Sequence, residues 1–207
     1  MTNPALSLIQ TGLRDLGYQP GGIDGIFGGK TRGAAEAWLA ASGAPAETSI
    51  APDTTSIIYQ GAARYPVHEI VVHCSATRPG WLELEGFAAQ FKEIRRWHVE
   101  DRGWRDIGYH WVIGRSGVVI AGRPETEIGA GVVGHNSGVI HICLIGGFGS
   151  TENDAFSTNF TAAQDARLRA QIQAISMRTQ ITRISGHNEW AAKACPGFNV
   201  PSWLKGA

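Results

Sequence analysis

Residues 69–74 read EIVVHC, and this short stretch is the strongest indication of the fold. Ile70, Val71 and Val72 form an uninterrupted apolar run of β-branched residues, which is typical of a strand buried on both faces. A second run of this kind, VIHICLI, occupies residues 139–145. Two such runs predict a central sheet whose two faces are both covered.

Helical and hairpin patterns surround these two strands. Strands mixed with helices predict an α/β fold, a mixed central sheet flanked by helices. The hairpin should lie in GYHWVIGRSGVVIAGR, where two β-rich runs enclose Arg115-Ser116-Gly117. The remaining predicted elements are a helix over 85–100, a long helix over 161–179 with Thr161 as its cap, a short strand over 182–185 and a helical turn over 201–204.

The first 60 residues predict a small unit of three helices. Leu6, Ile9, Leu13 and Leu16 are spaced as the apolar face of a first helix. A glycine-rich turn follows, in which Asp24 can accept bonds from backbone amides. The second helix should span 30–41, with Ala34, Ala35, Trp38 and Leu39 toward the core, and a third 51–59, before a linker at 61–66. We therefore expect two domains, residues 1–62 and 63–207.

The overall charge excludes some partners. Lys plus Arg and Asp plus Glu each number 18, so the formal net charge is zero. This balance does not indicate nucleic-acid binding or attraction to an anionic membrane surface. No stretch approaches the ~20 apolar residues of a membrane span. The N-terminus lacks a secretory signal pattern, so we expect the protein to stay in the cytoplasm until something else releases it. We also expect a monomer.

The sequence contains three cysteines, and one of them, with two histidines, could bind a metal. The odd number of cysteines argues against a disulfide framework, and Cys74 and Cys143 lie in apolar runs that predict burial. Cys195 instead lies in a KACPGF loop, where a thiolate could reach a metal or a substrate. With His73 and His187 it could supply three ligands and leave a fourth position open, as in catalytic zinc sites.

Spacing alone does not establish such a site, because a lone histidine at a strand end is more often a hydrogen-bonded structural residue. We interpret His98, His110 and His141 in this structural sense. The sequence does not place His68 or His135. Asn136 and Glu189 could contact a substrate peptide or serve equally well in a turn or a helix cap.

Residues 68–204 resemble the type-2 zinc N-acetylmuramoyl-L-alanine amidase family, above all its phage lysozymes or endolysins; the family also includes animal peptidoglycan recognition proteins. The matching motifs are VHCSAT (72–77), IRRWH (94–98), GW (103–104), DIGYH (106–110), HNS (135–137), CLIGG (143–147), His187 and KACPGF (193–198). The first unit resembles a peptidoglycan-binding three-helix domain in LIQ (8–10), Leu13, LGY (16–18), GIDGIFG (22–28) and Lys30-Thr31.

The resemblance implies Zn²⁺ on His73, His187 and Cys195, with Tyr109 and Lys193 as catalytic residues. It also implies hydrolysis of the amide between N-acetylmuramic acid and L-alanine in bacterial peptidoglycan, in the manner of a phage endolysin. One departure is visible. Where the family usually has a Ser-Ile-Gly-Ile-like run, this chain has Val139-Ile140-His141-Ile142, and a ring in place of glycine needs extra space.

Three other interpretations remain at this stage. The chain could be a module that recognises peptidoglycan without cutting it, although such relatives typically lack the cysteine ligand. It could be an amidase that acts on soluble muropeptides, although a wall-binding unit favours a polymeric substrate. It could also be a structural or regulatory protein with a vestigial site.

Overall fold

The chain divides into two compact units, with the division between residues 50 and 51. The computed structural model describes residues 4–26, 28–41 and 57–206. The boundary at residues 62 and 63 that the sequence suggests stays a prediction. Among the described helices, none has the length and apolar composition needed to cross a membrane.

The first unit contains helices α1 (Pro4–Asp15) and α2 (Gly29–Ala41). The turn between them is organised by Asp24, whose Oδ1 accepts hydrogen bonds from the Ile26 amide at 3.0 Å and from Gln10 Nε2 at 2.8 Å. Gln10 is buried, and its Oε1 accepts a bond from the Gly25 amide at 2.9 Å. The expected structural role of Asp24 is therefore observed, and a buried glutamine supports it.

The apolar face expected for α1 is only partly correct. Leu13 is buried, but Ile9 and Leu16 are 50% and 62% exposed. In α2, Ala34 is buried and Trp38 is 40% exposed, while the side chain of Leu39 lies outside the described residues. Among the residues that the structure describes, both helices thus bury a narrower stripe than their spacing predicts.

The third predicted helix falls largely on residues 51–56, which lie outside the described part of the chain. From Tyr59 onward that prediction is wrong, since Tyr59–Gln60 forms strand β1 and pairs antiparallel with β2 (Tyr65–Pro66). The predicted linker 61–66 is the turn and second strand of this hairpin. Strands of two residues leave no periodic pattern in a sequence.

The second unit is built on a five-stranded mixed sheet in the order β5-β4-β6-β3-β7. The strands are β3 (Glu69–Cys74), β4 (Trp111–Ile113), β5 (Val119–Ala121), β6 (Val139–Leu144) and β7 (Arg183–Gly186). β3 is parallel to both β6 and β7, β4 is parallel to β6, and β4 and β5 form an antiparallel hairpin. Every residue of β3 and β6 is buried, as their apolar runs predict.

Helices cover both faces of this sheet. They are α3 (Phe87–Arg96), α4 (Phe156–Asn159), α5 (Ala162–Ser176) and α6 (Val200–Leu204), with a π-helical turn at Trp97–Asp101 and a 3₁₀ turn at His187–Glu189. On one face, Ile140 and Leu144 pack in a cluster with Leu168 of α5. On the other, Cys143 packs with Ile94 of α3. Alternate residues of β6 thus pack into the hydrophobic clusters on opposite faces of the sheet.

Helix α5 begins as the sequence predicts. Thr161 Oγ1 accepts a bond from the Gln164 amide, and Gln164 Oε1 accepts one from the Thr161 amide, both at 3.1 Å. These reciprocal bonds form a capping box. Gln164 Nε2 also donates to the Ile145 carbonyl at 2.9 Å, which ties the start of α5 to the end of β6.

Candidate metal and catalytic centre

The parallel pairing of β3 with β7 brings the two candidate histidine ligands together. His73 is the fifth residue of β3, and His187 directly follows β7 in the 3₁₀ turn. Parallel neighbours end at the same edge of a sheet, so residues 114 positions apart become neighbours in space. Cys195 reaches the same edge from the following loop, where its Sγ accepts a bond from the Cys74 amide at 3.2 Å.

The three ligand atoms point toward one position. His73 Nδ1 lies 3.2 Å from His187 Nδ1 and 3.9 Å from Cys195 Sγ, and one possible ligand atom from each of the three residues lies within 4.8 Å of the other two. Ligands bound at roughly 2.0–2.3 Å around one tetrahedral zinc ion would be separated by about 3.3–3.8 Å. The 3.2 Å and 3.9 Å separations lie close to this range, and two imidazoles with one thiolate are a ligand set that zinc binds.

Burial keeps the two histidines in the form that a metal requires. Burial is the main cause that holds the pKa of His73 well below its usual value, and the nearby His187 lowers it further. Burial and the positive charge of Lys193 also lower the pKa of His187. Both rings are therefore neutral near pH 7, and only a neutral imidazole can act as a metal ligand.

Tyr109 and Lys193 line the same cavity of about 240 Å³ as His187 and Cys195. The Tyr109 ring lies 5.1 Å from the His73 ring, centroid to centroid. Burial raises the pKa of Tyr109 well above its usual value, so its hydroxyl stays protonated and can donate a hydrogen bond. Lys193 is exposed in the loop before Cys195. The structure thus brings all five candidate site residues together.

Two further cavity residues had no functional role assigned from sequence, namely His98 and Arg102. His98 lies in the π-helical turn, accepts a bond from the Gly108 amide at 3.1 Å and stacks on Trp104. Burial, with the charge of Arg102, lowers the pKa of His98 to about 4. The sequence did point to this region, because IRRWH (94–98) and GW (103–104) are among the motifs that resemble the family.

Several polar residues have the structural roles that the sequence left open. Asn136 Oδ1 accepts a bond from the Val132 amide at 2.9 Å, and Glu189 Oε1 accepts one from the Gly186 amide at 2.7 Å. His135 Nε2 lies 2.7 Å from Oε2 of the buried Glu69. A turn and a cap therefore account for Asn136 and Glu189, and His135 is placed by its bond to Glu69.

His141 is buried beside the candidate ligands, with its Nδ1 3.0 Å from His73 Nε2. The expectation that this ring needs extra space is correct. A Cβ atom added at Gly129 would lie 2.5 Å from His141 Cδ2, and one added at Gly131 would lie 2.5 Å from His141 Nδ1. Two glycines of the 129–131 loop thus leave room for the ring.

Residues 63–198 match the family model described as N-acetylmuramoyl-L-alanine amidase, Amidase_2. The chain belongs to this amidase family. The match contains all five candidate site residues and all five strands of the mixed sheet. The enzyme class and reaction that the resemblance implied are therefore confirmed.

Curated relatives of this amidase include phage endolysins. The endolysin of Escherichia phage T7 is 40% identical over 134 residues, which covers 65% of this chain and 83% of that protein. The endolysin of Enterobacteria phage T3 is 38% identical over 140 residues, covering 68% and 87%. The expected relationship to phage endolysins is thus confirmed.

Solved structures agree on the fold of the amidase. Bumblebee PGRP-SA superposes with a TM-score of 0.57 at 26% identity, covering 74% of this chain and 87% of that one. A complex of tracheal cytotoxin with the ectodomains of peptidoglycan recognition proteins LCa and LCx gives a TM-score of 0.55 at 25% identity, covering 68% and 80%. The predicted mixed sheet with flanking helices is confirmed.

Proposed function

We propose that this amidase cuts the bond between N-acetylmuramic acid and L-alanine in bacterial peptidoglycan with a zinc ion held by His73, His187 and Cys195. The observation that carries the metal assignment is the convergence of one possible ligand atom from each of these three residues within 4.8 Å. Zinc bound there would supply a Lewis acid for the scissile carbonyl and make water acidic enough to attack near neutral pH.

Lys193 and Tyr109 would act on the substrate from the cavity that they share with the ligands. The attack on an amide places negative charge on the carbonyl oxygen, and a nearby ammonium group stabilises that charge. Lys193 offers such a group. Tyr109 offers a neutral hydroxyl, which can orient the attacking water or donate a hydrogen bond to the substrate.

We further propose that the first unit holds the enzyme on the wall. Its resemblance to a peptidoglycan-binding domain supports this role, and tethering raises the local concentration of cleavable bonds. The relationship to phage endolysins supports a wall-lysing role in a phage life cycle, with the enzyme acting as a monomer after release from the host cytoplasm.

Digestion of purified sacculi, with and without a chelator, tests the reaction and its metal. Mass analysis should find intact stem peptides with free L-alanine amino ends, and chelation followed by zinc addition should remove and restore this product. The Cys195→Ser variant should release far less product at limiting zinc. New reducing sugar ends would show a glycosidase and refute the proposed reaction.

A peptidoglycan-binding module without catalysis is the alternative that the amidase family match argues against. Its fold would be the same, but Cys195, Tyr109 and Lys193 would then have no common purpose in one cavity. Sacculi that bind the protein without losing stem peptides, in the presence of zinc, would favour this alternative. Cleavage of soluble muropeptides but not of sacculi would instead favour the recycling type of amidase.

A further inference from the structure

His141 lies beside His73 because of the register between β3 and β6. His73 is paired with Cys143, and His141 is paired with Val71, so the two histidines are diagonal neighbours on the same face of the sheet. The two facing atoms are His73 Nε2 and His141 Nδ1, 3.0 Å apart. This is the ordinary length of a hydrogen bond between two ring nitrogens.

The His141 backbone is held from the opposite side by His110. The His141 amide donates to His110 Nδ1 at 2.9 Å, and the His110 amide donates to the His141 carbonyl at 2.9 Å. His110 Nε2 lies 2.9 Å from the Glu127 carbonyl, which can only accept, so His110 carries its proton on Nε2. Its Nδ1 then carries no proton and accepts the hydrogen bond from the His141 amide. The tautomer of His110 is thereby fixed.

The position of the proton between His73 and His141 follows from the ligand geometry. His73 directs Nδ1 toward His187 and Cys195, so a metal-binding His73 must carry its proton on Nε2. That proton can only be donated to His141 Nδ1, which must therefore be an acceptor. His141 then carries its own proton on Nε2, a buried atom that has no hydrogen-bond partner among the described residues.

We propose that His141 is a positioning residue that accepts the His73 Nε2 proton and so fixes the tautomer and the ring orientation of a metal ligand. This inference rests on the proposed metal centre. Histidine ligands in zinc sites usually donate their second N–H to a carboxylate, a carbonyl or water. Here a second imidazole has that role.

The cost of the arrangement supports a purpose beyond packing. An apolar side chain would fill the space left by Gly129 and Gly131 without burying a ring nitrogen that lacks a partner. Leaving a buried donor unsatisfied typically costs ~1–3 kcal/mol. Retention of a histidine is explained if its other nitrogen holds the metal ligand in place.

Zinc affinity of His141 variants tests the proposal, measured by competition with a chromogenic chelator. The His141→Leu variant removes the acceptor, and we expect its affinity to fall by about 10–100-fold. The His141→Asn variant keeps an acceptor near the Nδ1 position, and we expect it to retain most of the wild-type affinity. His68→Leu, a change at an exposed histidine away from the site, is the matched control.

The Gly131→Ala variant offers an independent test in which neither histidine is substituted. Its Cβ would lie 2.5 Å from His141 Nδ1 and 2.8 Å from His73 Nε2, so it should force the rings apart and weaken zinc binding. Gly33→Ala, where a Cβ meets no atom within 4 Å, is the control. Nitrogen-15 spectra should show a protected His73 Nε2 proton in the wild type and in His141→Asn, and its loss in His141→Leu.

The outcomes separate this proposal from the one on which it rests. If the wild type binds no zinc, both the metal centre and the role of His141 are overturned. If the wild type binds zinc and folded His141→Leu binds it equally well, only the role of His141 is overturned. If His141→Asn loses as much affinity as His141→Leu while both remain folded, the acceptor is irrelevant and a role in packing replaces it.

Discussion

Lys193 is the residue whose chemical role is easiest to separate from metal binding. Its side chain lines the cavity but supplies none of the three ligand atoms. Replacing it with alanine should lower kcat by ~10²–10³-fold, the usual loss for one oxyanion-stabilising group. Zinc content should stay unchanged. Steady-state rates and metal analysis of purified Lys193→Ala test this, with the exposed Lys205→Ala as the control.

A near-normal kcat for Lys193→Ala would remove this residue from the catalytic group. Loss of both zinc and activity would lead to a different conclusion, namely that the substitution had disturbed the conformation of the loop before Cys195. Measuring the metal content of each sample keeps these two results apart.

His98 gives the prediction that depends on pH. Its pKa in the folded protein is about 4, against a usual 6.5, because the ring is buried near Arg102. Between these values the unfolded chain binds a proton that the folded chain does not, so the free energy of unfolding falls as pH decreases from about 6.5 to 4. Denaturant unfolding of chelator-treated protein at several pH values should show this loss.

The His98→Asn variant should lose less stability than the wild type over the same pH range, because it lacks the histidine whose pKa is lowered in the folded protein. His68→Asn, at an exposed position, should follow the wild type. Parallel curves for the wild type and His98→Asn would show that the ring is not held in its neutral form.

The start of α5 is the most testable feature among the helices and strands. Thr161 caps the helix and also donates a bond from its Oγ1 to the Arg115 carbonyl at 2.7 Å. The Thr161→Ala variant should lower the free energy of unfolding by ~1–2 kcal/mol, toward the upper end for a lost cap. Thr158→Ala, at an exposed position in α4, is the matched control.

Denaturant titration measures this change, and the activity of the folded variant should remain that of the wild type. Equal midpoints for Thr161→Ala and Thr158→Ala would mean that the cap contributes little. A large loss of activity without a loss of stability would point instead to coupling between α5 and the cavity.

The elements could be predicted where local physical signals were strong. Continuous β-branched residues predicted β3, Arg115-Ser116-Gly117 predicted the β4–β5 turn, and Thr161 predicted the start of α5. The β1–β2 hairpin was missed because its strands are too short for a pattern. The exposed faces of Ile9 and Leu16 were missed because helical spacing does not say how much of a face another element covers.

The candidate site shows the same division. Residue types and family-like motifs singled out the three ligands, Tyr109 and Lys193. The role of His141 could not be found this way, because it depends on the register between β3 and β6 and on space left by two glycines elsewhere in the chain. β3 and β6 are buried on both faces, so neither has the alternating pattern that would specify the register between them.

The two compact units should be separable in function. A chain that lacks residues 1–50 keeps the entire second unit. We expect it to cleave soluble muropeptides at the rate of the full chain but to act more slowly on sacculi, because the proposed tether is lost. Rates on both substrates, with sedimentation of protein with sacculi, measure the difference.

A full-length Gln10→Ala chain is the matched variant, since Gln10 holds the Asp24 turn of the first unit. It should resemble the truncated chain on sacculi if that turn is needed for wall binding. Equal rates of the wild type and the truncated chain on sacculi would contradict a tethering role for residues 1–50.

The separation of His73 and Cys195 by 122 positions has a consequence for the timing of maturation. An ion that joined them would close a loop that includes nearly the whole sheet, and it would act as a reversible cross-link. During synthesis on the ribosome, no partial chain that ends before residue 187 could present more than one of the three donors. Metal capture by all three residues would therefore come only after Cys195 has been synthesised, and the metal supply at that time would govern how much of the chain is stabilised by it.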